Sequence, residues 1–179
     1  VKLPVLANSG KRVVFFPGSS LGNFDHAQSV NFLANAAKTV GHGGAMLIGI
    51  DLKKDADILN AAYDDAQGIT AQFNLNLLTR LNQECGADFD LDAFCHSAFY
   101  NAKAGRVEMH LISQRTQTVS LGGQNIDFTK GETIHTENSY KYSVDEFQDL
   151  SRRAGLEPLH VWTDAEQLFS LHYLHVGPQ

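Results

Sequence analysis

Asn23 is the first residue whose type and place suggest ligand chemistry, because it follows a short apolar segment and a small polar loop. Residues 13–16 combine β-branched and aromatic side chains, which predicts a strand buried on both faces. Pro17 and Gly18 end this strand, and Asp25 is placed to cap the next helix. Ligands bind at the carboxyl ends of strands in parallel α/β sheets. Asn23 is therefore expected beside a ligand, although an asparagine there could equally brace the turn.

Glu137 and Ser139 form the second candidate group, because residues two apart on a strand place their side chains on one face. A carboxylate accepts a hydrogen bond from an N–H group, and a hydroxyl both donates and accepts. On pattern alone the two residues could equally form the solvated face of an edge strand. By the same standard, Tyr63 on a predicted helix and Met109 on a predicted strand are ordinary packing residues.

The histidines and cysteines are weaker candidates for metal binding or nucleophilic catalysis. The eight histidines are scattered and include no HxxxH or HExxH pair, so the sequence predicts no metal site. Cys95 and His96 are adjacent, and adjacent strand residues point to opposite faces, so no thiol–imidazole pair is expected. Cys85 and Cys95 are expected to be free thiols in a reducing compartment, which favours a cytoplasmic location.

The two flanks of the chain follow an α/β pattern. Helices that begin with capping boxes are predicted over residues 25–40 and 143–155, and residues 45–50 form a second buried strand. Two further strands, at residues 156–162 and 167–174, are joined by a short turn. A helix, a strand and a hairpin-linked last strand are a common way to finish a doubly wound sheet with an antiparallel edge.

The middle of the chain has a different pattern. Helices are predicted after Asp55 and Thr70, which act as N-caps, and the first of them ends near Gly68. The strands that follow are predicted to be antiparallel and cover residues 94–101, 106–115, 125–129 and 132–142. The domain prediction is an α/β unit made of residues 1–53 and 144–179, interrupted by an α+β unit of residues 54–143.

The composition limits the classes of function. With 43% apolar and 19% charged residues, the 179-residue chain is typical of a soluble globular protein. Its net charge of −6 argues against nucleic-acid or anionic membrane partners. No apolar run approaches the ~18 residues of a transmembrane helix, and no signal peptide is predicted. The chain begins with Val1 rather than Met, so we expect that an amino-terminal segment has been removed.

Five blocks of sequence resemble the histidine Nα-methyltransferases: FFPGSSLGNF, GIDLKKDADILNAAYDDAQGITAQFNLNLLTRLN, GADFDLDAF, VEMHLISQRTQTV and GETIHTENSYKY. The resemblance covers nearly the whole chain in order. It implies transfer of three methyl groups from S-adenosylmethionine to the amine of L-histidine, giving hercynine on the way to ergothioneine. It also implies the fold, which is the carboxyl-terminal half of a doubly wound Rossmann-like methyltransferase sheet with an inserted α+β substrate-binding domain.

The resemblance also implies roles for individual residues. Asn23 is expected to hold the amino-acid end of the substrate, and Tyr63 to contact its carboxylate. Met109 is expected to form a pocket wall, with Glu137 and Ser139 holding the imidazole. Gly18 is expected to place its backbone near S-adenosylmethionine. A carboxylate beside a hydroxyl can bind an imidazole, because the two ring nitrogens of an imidazole need different hydrogen-bond partners.

One part of the family's pattern is missing. The Gly-rich first βα turn that binds S-adenosylmethionine has no counterpart, since Gly41, Gly43 and Gly44 follow a helix and precede a strand. The chain alone is therefore expected to be inactive. The alternatives are a methyltransferase for another amino acid or small amine, and a non-catalytic module that complements a separate upstream half. Exposed strand edges would favour a homodimer or a strand-swapped dimer of the chain.

Overall fold

The computed structural model describes residues 10–177, which divide into two compact units. One unit contains the described residues up to Lys53 and those from Tyr140 onward, and the other contains Lys54–Ser139. The second unit is thus an insertion in the sequence of the first. None of the helices among residues 10–177 is long and apolar enough to cross a membrane.

The first unit is built on a four-stranded mixed sheet. In spatial order its strands are Val13–Phe16 (β1), Ala45–Asp51 (β2), Phe169–His175 (β9) and Glu157–Thr163 (β8). β1 and β2 are parallel, β9 is antiparallel to β2, and β8 is antiparallel to β9. The predicted terminal hairpin is confirmed. Because its second strand pairs with β2, however, the first strand β8 lies at the edge of the described sheet.

Two helices cover one face of this sheet, His26–Val40 (α1) and Val144–Arg153 (α4). Both predicted capping boxes are confirmed. The Asp25 carboxylate accepts from the Gln28 N–H at 2.7 Å, and the Ser143 hydroxyl accepts from the Glu146 N–H at 3.1 Å. The core between helices and sheet includes Leu33, Met46, Ile48, Phe147, Leu150 and Leu174.

The prediction that β1 is buried on both faces is wrong. Val14 and Phe16 pack against the core, but Val13 is 51% exposed and Phe15 is 67% exposed. The reason is that β1 is an end strand of the described sheet, and alternate side chains of a strand point to opposite faces. A run of four apolar residues shows that a strand forms but does not show which face is covered.

The inserted unit combines two helices with antiparallel strands. The helices are Ala56–Tyr63 (α2) and Ile69–Cys85 (α3). A three-stranded sheet contains, in spatial order, Phe94–Asn101 (β3), Arg106–Ser113 (β4) and Thr133–Tyr140 (β7). A separate hairpin pairs Gln117–Leu121 (β5) with Gln124–Phe128 (β6). Two apolar clusters lie within this unit, one around Leu78, Phe94 and Leu111 and one around Leu59, Val107 and Met109.

Local corrections in this unit concern the helix ends and one strand. α2 ends at Tyr63 rather than near Gly68, and β5 was not predicted. Thr70 does not cap α3. Instead the Asp65 carboxylate accepts from the N–H groups of Ile69 at 3.0 Å and Thr70 at 2.8 Å. Hydrogen bonds from the Thr70 and then the Ile69 backbone lower the pKa of Asp65 to about 2. A charged acceptor therefore replaces the neutral hydroxyl that the sequence suggested.

Candidate functional site

Four of the predicted site residues lie in the inserted unit, on α2, β4 and β7. Tyr63 is the last residue of α2, and its hydroxyl lies 2.8 Å from the hydroxyl of Ser139 on β7, which is 76 residues further along the chain. Ser139 is buried, and Glu137 precedes it by two residues on the same strand. Met109 on β4 is buried in the apolar cluster against which Tyr63 packs. Local sequence patterns could not show this convergence.

A cleft of about 310 Å³ opens between these elements of the inserted unit. Its lining consists of Ala62, Tyr63, Ile69, Thr70, Phe73, Met109 and Glu137. The volume lies at the small end of ligand pockets, and the walls are mostly apolar with a few polar groups. A phenol, a thioether and a carboxylate around such a cleft can bind a small molecule that has both an apolar ring and hydrogen-bonding groups.

A second, smaller cleft of about 190 Å³ shares Phe73 and Glu137 with the first. Asn74, Arg80 and Thr136 also line it. Arg80 is held by Glu84, one turn further along α3, with an Nε–Oε1 distance of 2.9 Å. Glu137 therefore faces two adjoining cavities of the inserted unit.

The other two predicted residues, Gly18 and Asn23, lie in the first unit after the carboxyl end of β1. Asn23 is exposed and ends a short 3₁₀ turn over Ser20–Asn23. Ser19 adopts a left-handed conformation with φ 56°, and its hydroxyl accepts from the N–H of Asp51 at 2.8 Å. This hydrogen bond ties the loop to the carboxyl end of β2, so the loop is built where α/β sheets bind ligands.

A buried ion pair lies at the same end of the sheet of the first unit. The ammonium of Lys141 is 2.6 Å from the carboxylate of Asp51, and the Lys141 side chain is 1% exposed. The sequence placed Asp51 at the end of β2 but gave no indication of this cation, because the partners are 90 residues apart in the chain. The pair lies beside the loop that carries Gly18 and Asn23, because the Asp51 N–H donates to Ser19 of this loop.

Sequence reasoning missed a buried polar network beneath Tyr63. The Asn74 side chain is 3% exposed, and its Nδ2 lies 2.9 Å from His96 Nδ1 and 3.1 Å from the His110 carbonyl oxygen. His96 Nε2 in turn lies 2.8 Å from the Tyr63 carbonyl oxygen. The one available signal was Asn74 itself, a polar residue four positions before the buried Leu78 on the same helix face.

The structure also brings together Glu108, His110 and His135, whose ligand atoms lie within 4.8 Å of one another. Burial alone would raise the pKa of Glu108, but hydrogen bonds from Arg106, Asn101 and His110 outweigh burial and lower this pKa. The two imidazole rings stack with centroids 4.4 Å apart and planes 21° apart, so their lone pairs do not converge on one point. We therefore interpret the group as an ion-pair network around Glu108 rather than a metal centre.

The comparisons with known proteins give the class of protein. Residues 2–176 match the model of a family described as "Histidine-specific methyltransferase, SAM-dependent", and the chain belongs to this family. The resemblance noted in the sequence is therefore confirmed, and so is the mixed α/β class of the fold.

Among the curated relatives is the histidine N-alpha-methyltransferase of Mycolicibacterium smegmatis. It is 42% identical over 164 residues, which cover 90% of this chain and 51% of the relative. The enzyme of the same name from Mycobacterium tuberculosis is 39% identical, covering 94% and 53% respectively. The chain thus spans about half the length of these relatives, in their carboxyl-terminal part. A solved structure, the CcbJ methyltransferase of Streptomyces caelestis, has 14% identity and a TM-score of 0.47, covering 97% of this chain and 61% of that one.

Proposed function

We propose that this chain carries the histidine-binding part of a histidine Nα-methyltransferase that converts L-histidine to Nα,Nα,Nα-trimethylhistidine. The observation that carries the proposal is one cleft of the inserted unit that Tyr63, Met109 and Glu137 line, with Ser139 hydrogen-bonded to Tyr63, in a chain of the histidine-specific family. The expected location of the enzyme is the cytoplasm, where the free thiols of Cys85 and Cys95 would stay reduced.

The imidazole would be recognised by Glu137 and Ser139. The Glu137 carboxylate would accept from one imidazole N–H. When the Tyr63 hydroxyl donates to the carboxylate of the amino acid it accepts from Ser139, and the Ser139 hydroxyl then accepts from the second ring N–H. Met109 would form an apolar wall against the ring. Together these groups suit a zwitterion that carries a small polar ring.

Gly18 and Asn23 would serve the reacting end. S-adenosylmethionine supplies an activated methyl group, so the protein has to hold the substrate amine deprotonated and aligned. Asn23 offers an amide that can both donate to a carboxylate and accept from an amine. A Cβ at Gly18 would meet only Ser20 Oγ, at 3.8 Å, so neither crowding nor a left-handed φ demands glycine there. Close approach of a ligand to the backbone would explain why position 18 is a glycine.

We further propose that most of the S-adenosylmethionine site lies in the part of the relatives that this chain does not match, so that the chain alone is inactive. The chain alone would also self-associate as a homodimer or a strand-swapped dimer, because β1 is an end strand of the described sheet and exposes Val13 and Phe15. No metal, nucleic-acid or membrane partner is part of the proposal.

The second candidate is a methyltransferase for another amino acid. One relative, an L-tryptophan methyltransferase of Psilocybe serbica, is 27% identical over 88% of this chain and 45% of its own length. Mass spectrometry of the products formed from a panel of amino acids separates the candidates. Trimethylation of histidine in preference to tryptophan supports the first proposal, and the reverse preference supports the second.

The first prediction concerns Glu137→Gln, which keeps the size of the side chain and removes its charge. We expect histidine binding to weaken by about 1–3 kcal/mol, because a charge-assisted hydrogen bond to the imidazole is lost. Isothermal titration of L-histidine into the intact protein measures this change.

The matched control is Glu166→Gln, an exposed carboxylate in the first unit that leaves the cleft untouched. We expect this control to bind histidine as the unchanged protein does. Equal affinities in Glu137→Gln and the control would contradict a role of Glu137 in imidazole recognition.

A further inference from the structure

We propose that His96 and Asn74 are positioning residues that hold Tyr63 in place for substrate binding. The inference rests on the proposed function, in which the Tyr63 hydroxyl contacts the amino acid. His96 and Asn74 act through the backbone beneath Tyr63 and need no contact with the ligand. Three steps, each set by the donor and acceptor chemistry of the groups, lead from Asn74 to the tyrosine.

The first step fixes the orientation of the Asn74 amide. The same atom, Nδ2, lies 3.1 Å from the His110 carbonyl oxygen and 2.9 Å from His96 Nδ1. A carbonyl oxygen only accepts, so the atom facing it must be the NH₂ group rather than the amide oxygen. Both hydrogens of this NH₂ group are then committed, one to each partner. A buried amide with this arrangement cannot flip without placing two acceptors against each other.

The second step assigns the proton on the His96 ring. Because Asn74 Nδ2 only donates, His96 Nδ1 has to accept and therefore carries no hydrogen. The other ring nitrogen, Nε2, lies 2.8 Å from the Tyr63 carbonyl oxygen, which only accepts. Nε2 therefore carries the hydrogen. The partners on both sides require the neutral imidazole with its proton on Nε2, an assignment made from the partners alone.

The third step concerns the carbonyl that receives this proton. Tyr63 is the last residue of α2, and the last carbonyls of a helix have no partner within the helix. His96 supplies a donor to this carbonyl. A second hydrogen bond joins α2 to β3, since the side-chain oxygen Oδ1 of Asn60 accepts from the backbone N–H of Tyr100 at 2.7 Å. The end of α2 is thus fixed to β3, and the Tyr63 hydroxyl is fixed at Ser139.

A double-mutant cycle on histidine affinity tests the inference. We expect His96→Leu to weaken binding roughly tenfold in the intact protein. His96→Gln, which keeps an N–H donor for the Tyr63 carbonyl, should stay within about threefold of the unchanged protein. In a Tyr63→Phe background, His96→Leu should add less than about a twofold further loss, because the hydroxyl that it positions is already absent. A purely structural role would instead give the same loss in both backgrounds and would overturn the inference.

A second measurement uses the protein without ligand, so that failure of the inference is distinguishable from failure of the proposed function. NMR of ¹³C-labelled tyrosine rings should show the Tyr63 signals shifted or broadened in His96→Leu and unchanged in His96→Gln. Long-range ¹H–¹⁵N spectra should show His96 protonated on Nε2.

The matched control for the NMR experiment is His42→Leu, since His42 also bonds a backbone carbonyl, that of Gly177 in the first unit. This variant should leave the Tyr63 signals in place. Unchanged Tyr63 signals in His96→Leu, or a His96 proton on Nδ1, would overturn the inference. If the Tyr63 signals respond as expected but the unchanged protein does not bind histidine, the positioning role stands and the proposed substrate is wrong.

Discussion

At the scale of single residues, His172 shows how burial controls a charge. It lies on β9 with no exposed surface, and its Nε2 is 2.9 Å from the Ser170 hydroxyl. Its ring packs edge-on against Phe147 with centroids 4.5 Å apart. Burial lowers the pKa of His172 from 6.5 to about 4, because the charged ring would lose its hydration. The folded protein therefore holds this histidine neutral at pH values where the unfolded chain is already protonated.

This difference predicts a loss of stability in mild acid. The folded pKa lies below the unfolded one, so the contribution is complete above pH 6.5 and is lost as the pH falls toward about 4. Between pH 7.5 and pH 5.0 the loss should be about 2 kcal/mol of the free energy of unfolding. Urea unfolding followed by the fluorescence of Trp162, the single tryptophan, which lies in the same unit, measures it.

The variant His172→Leu should remove this part of the pH dependence, although the deletion of a buried hydrogen bond will lower stability at all pH values. The exposed His160 provides the control, because His160→Leu should keep the full slope. Equal slopes in the two variants would show that another group causes the acid sensitivity.

Residue-level prediction from sequence succeeded where the rule was local. The shared strand face of Glu137 and Ser139 needed only their spacing. The hydrogen bond between Tyr63 and Ser139 joins residues 76 positions apart, and no local rule predicts such a contact. Asp65 was missed as the cap of α3 because a carboxylate four residues before the helix is less usual than a hydroxyl at its start.

At the scale of elements, the backbone that follows β1 passes close to Gly49 of β2. A Cβ built on Gly49 of β2 would lie 2.1 Å from the Pro17 carbonyl oxygen and 2.6 Å from Phe169 Cζ. The carbonyl belongs to the backbone and cannot rotate away as a side chain could. Glycine at this position therefore allows the loop that carries Gly18 to cross the strand.

Gly49→Ala should consequently lower the free energy of unfolding by about 1–3 kcal/mol, the usual cost of overpacking. Gly18→Ala is the matched control, because its Cβ has ordinary space and should change stability by less than about 0.5 kcal/mol. Urea unfolding followed by Trp162 fluorescence compares the two. A stable Gly49→Ala protein would mean that the loop can move away without cost.

Element prediction depended on the kind of signal. Both capping boxes and the β3–β4 hairpin follow from short-range chemistry, and the structure confirms them. The position of β9 inside the sheet depends on pairing with β2, some 120 residues earlier, and no local pattern indicates which strand of the terminal hairpin lies at the edge. Hydrophobic runs predict that strands form, whereas their neighbours are decided by contacts remote in sequence.

At the scale of the whole molecule, the chain leaves the first unit after Lys53 and returns to it at Tyr140. The residues of the first unit next to these two points are joined to each other: the Lys53 N–H donates to the Tyr142 carbonyl at 2.9 Å, and Leu52 forms a parallel bridge with Tyr142. Lys53 also pairs with the Glu146 carboxylate. The first unit thus holds both ends of the insertion together with its own hydrogen bonds.

Each cluster of apolar side chains lies within one of the two units. The cluster around Leu33, Ile48 and Phe147 belongs to the first unit, and those around Phe94 and Met109 belong to the second. A unit with its own core and its own hydrogen-bonded sheet can fold without the remainder of the chain. We therefore expect a polypeptide of residues 54–139 to unfold cooperatively in urea, with dispersed amide signals in NMR spectra.

Phe94→Ala in this excised polypeptide should lower the free energy of unfolding by about 3–5 kcal/mol, or abolish folding, because Phe94 contacts Phe128 and Phe89 in its core. The exposed Phe99 is the matched control, and Phe99→Ala should have little effect. Non-cooperative unfolding of the unchanged polypeptide would show that the inserted unit depends on the first. If it folds, weak histidine binding that Glu137→Gln abolishes would locate imidazole recognition within the insertion, since the cleft is lined entirely by its residues.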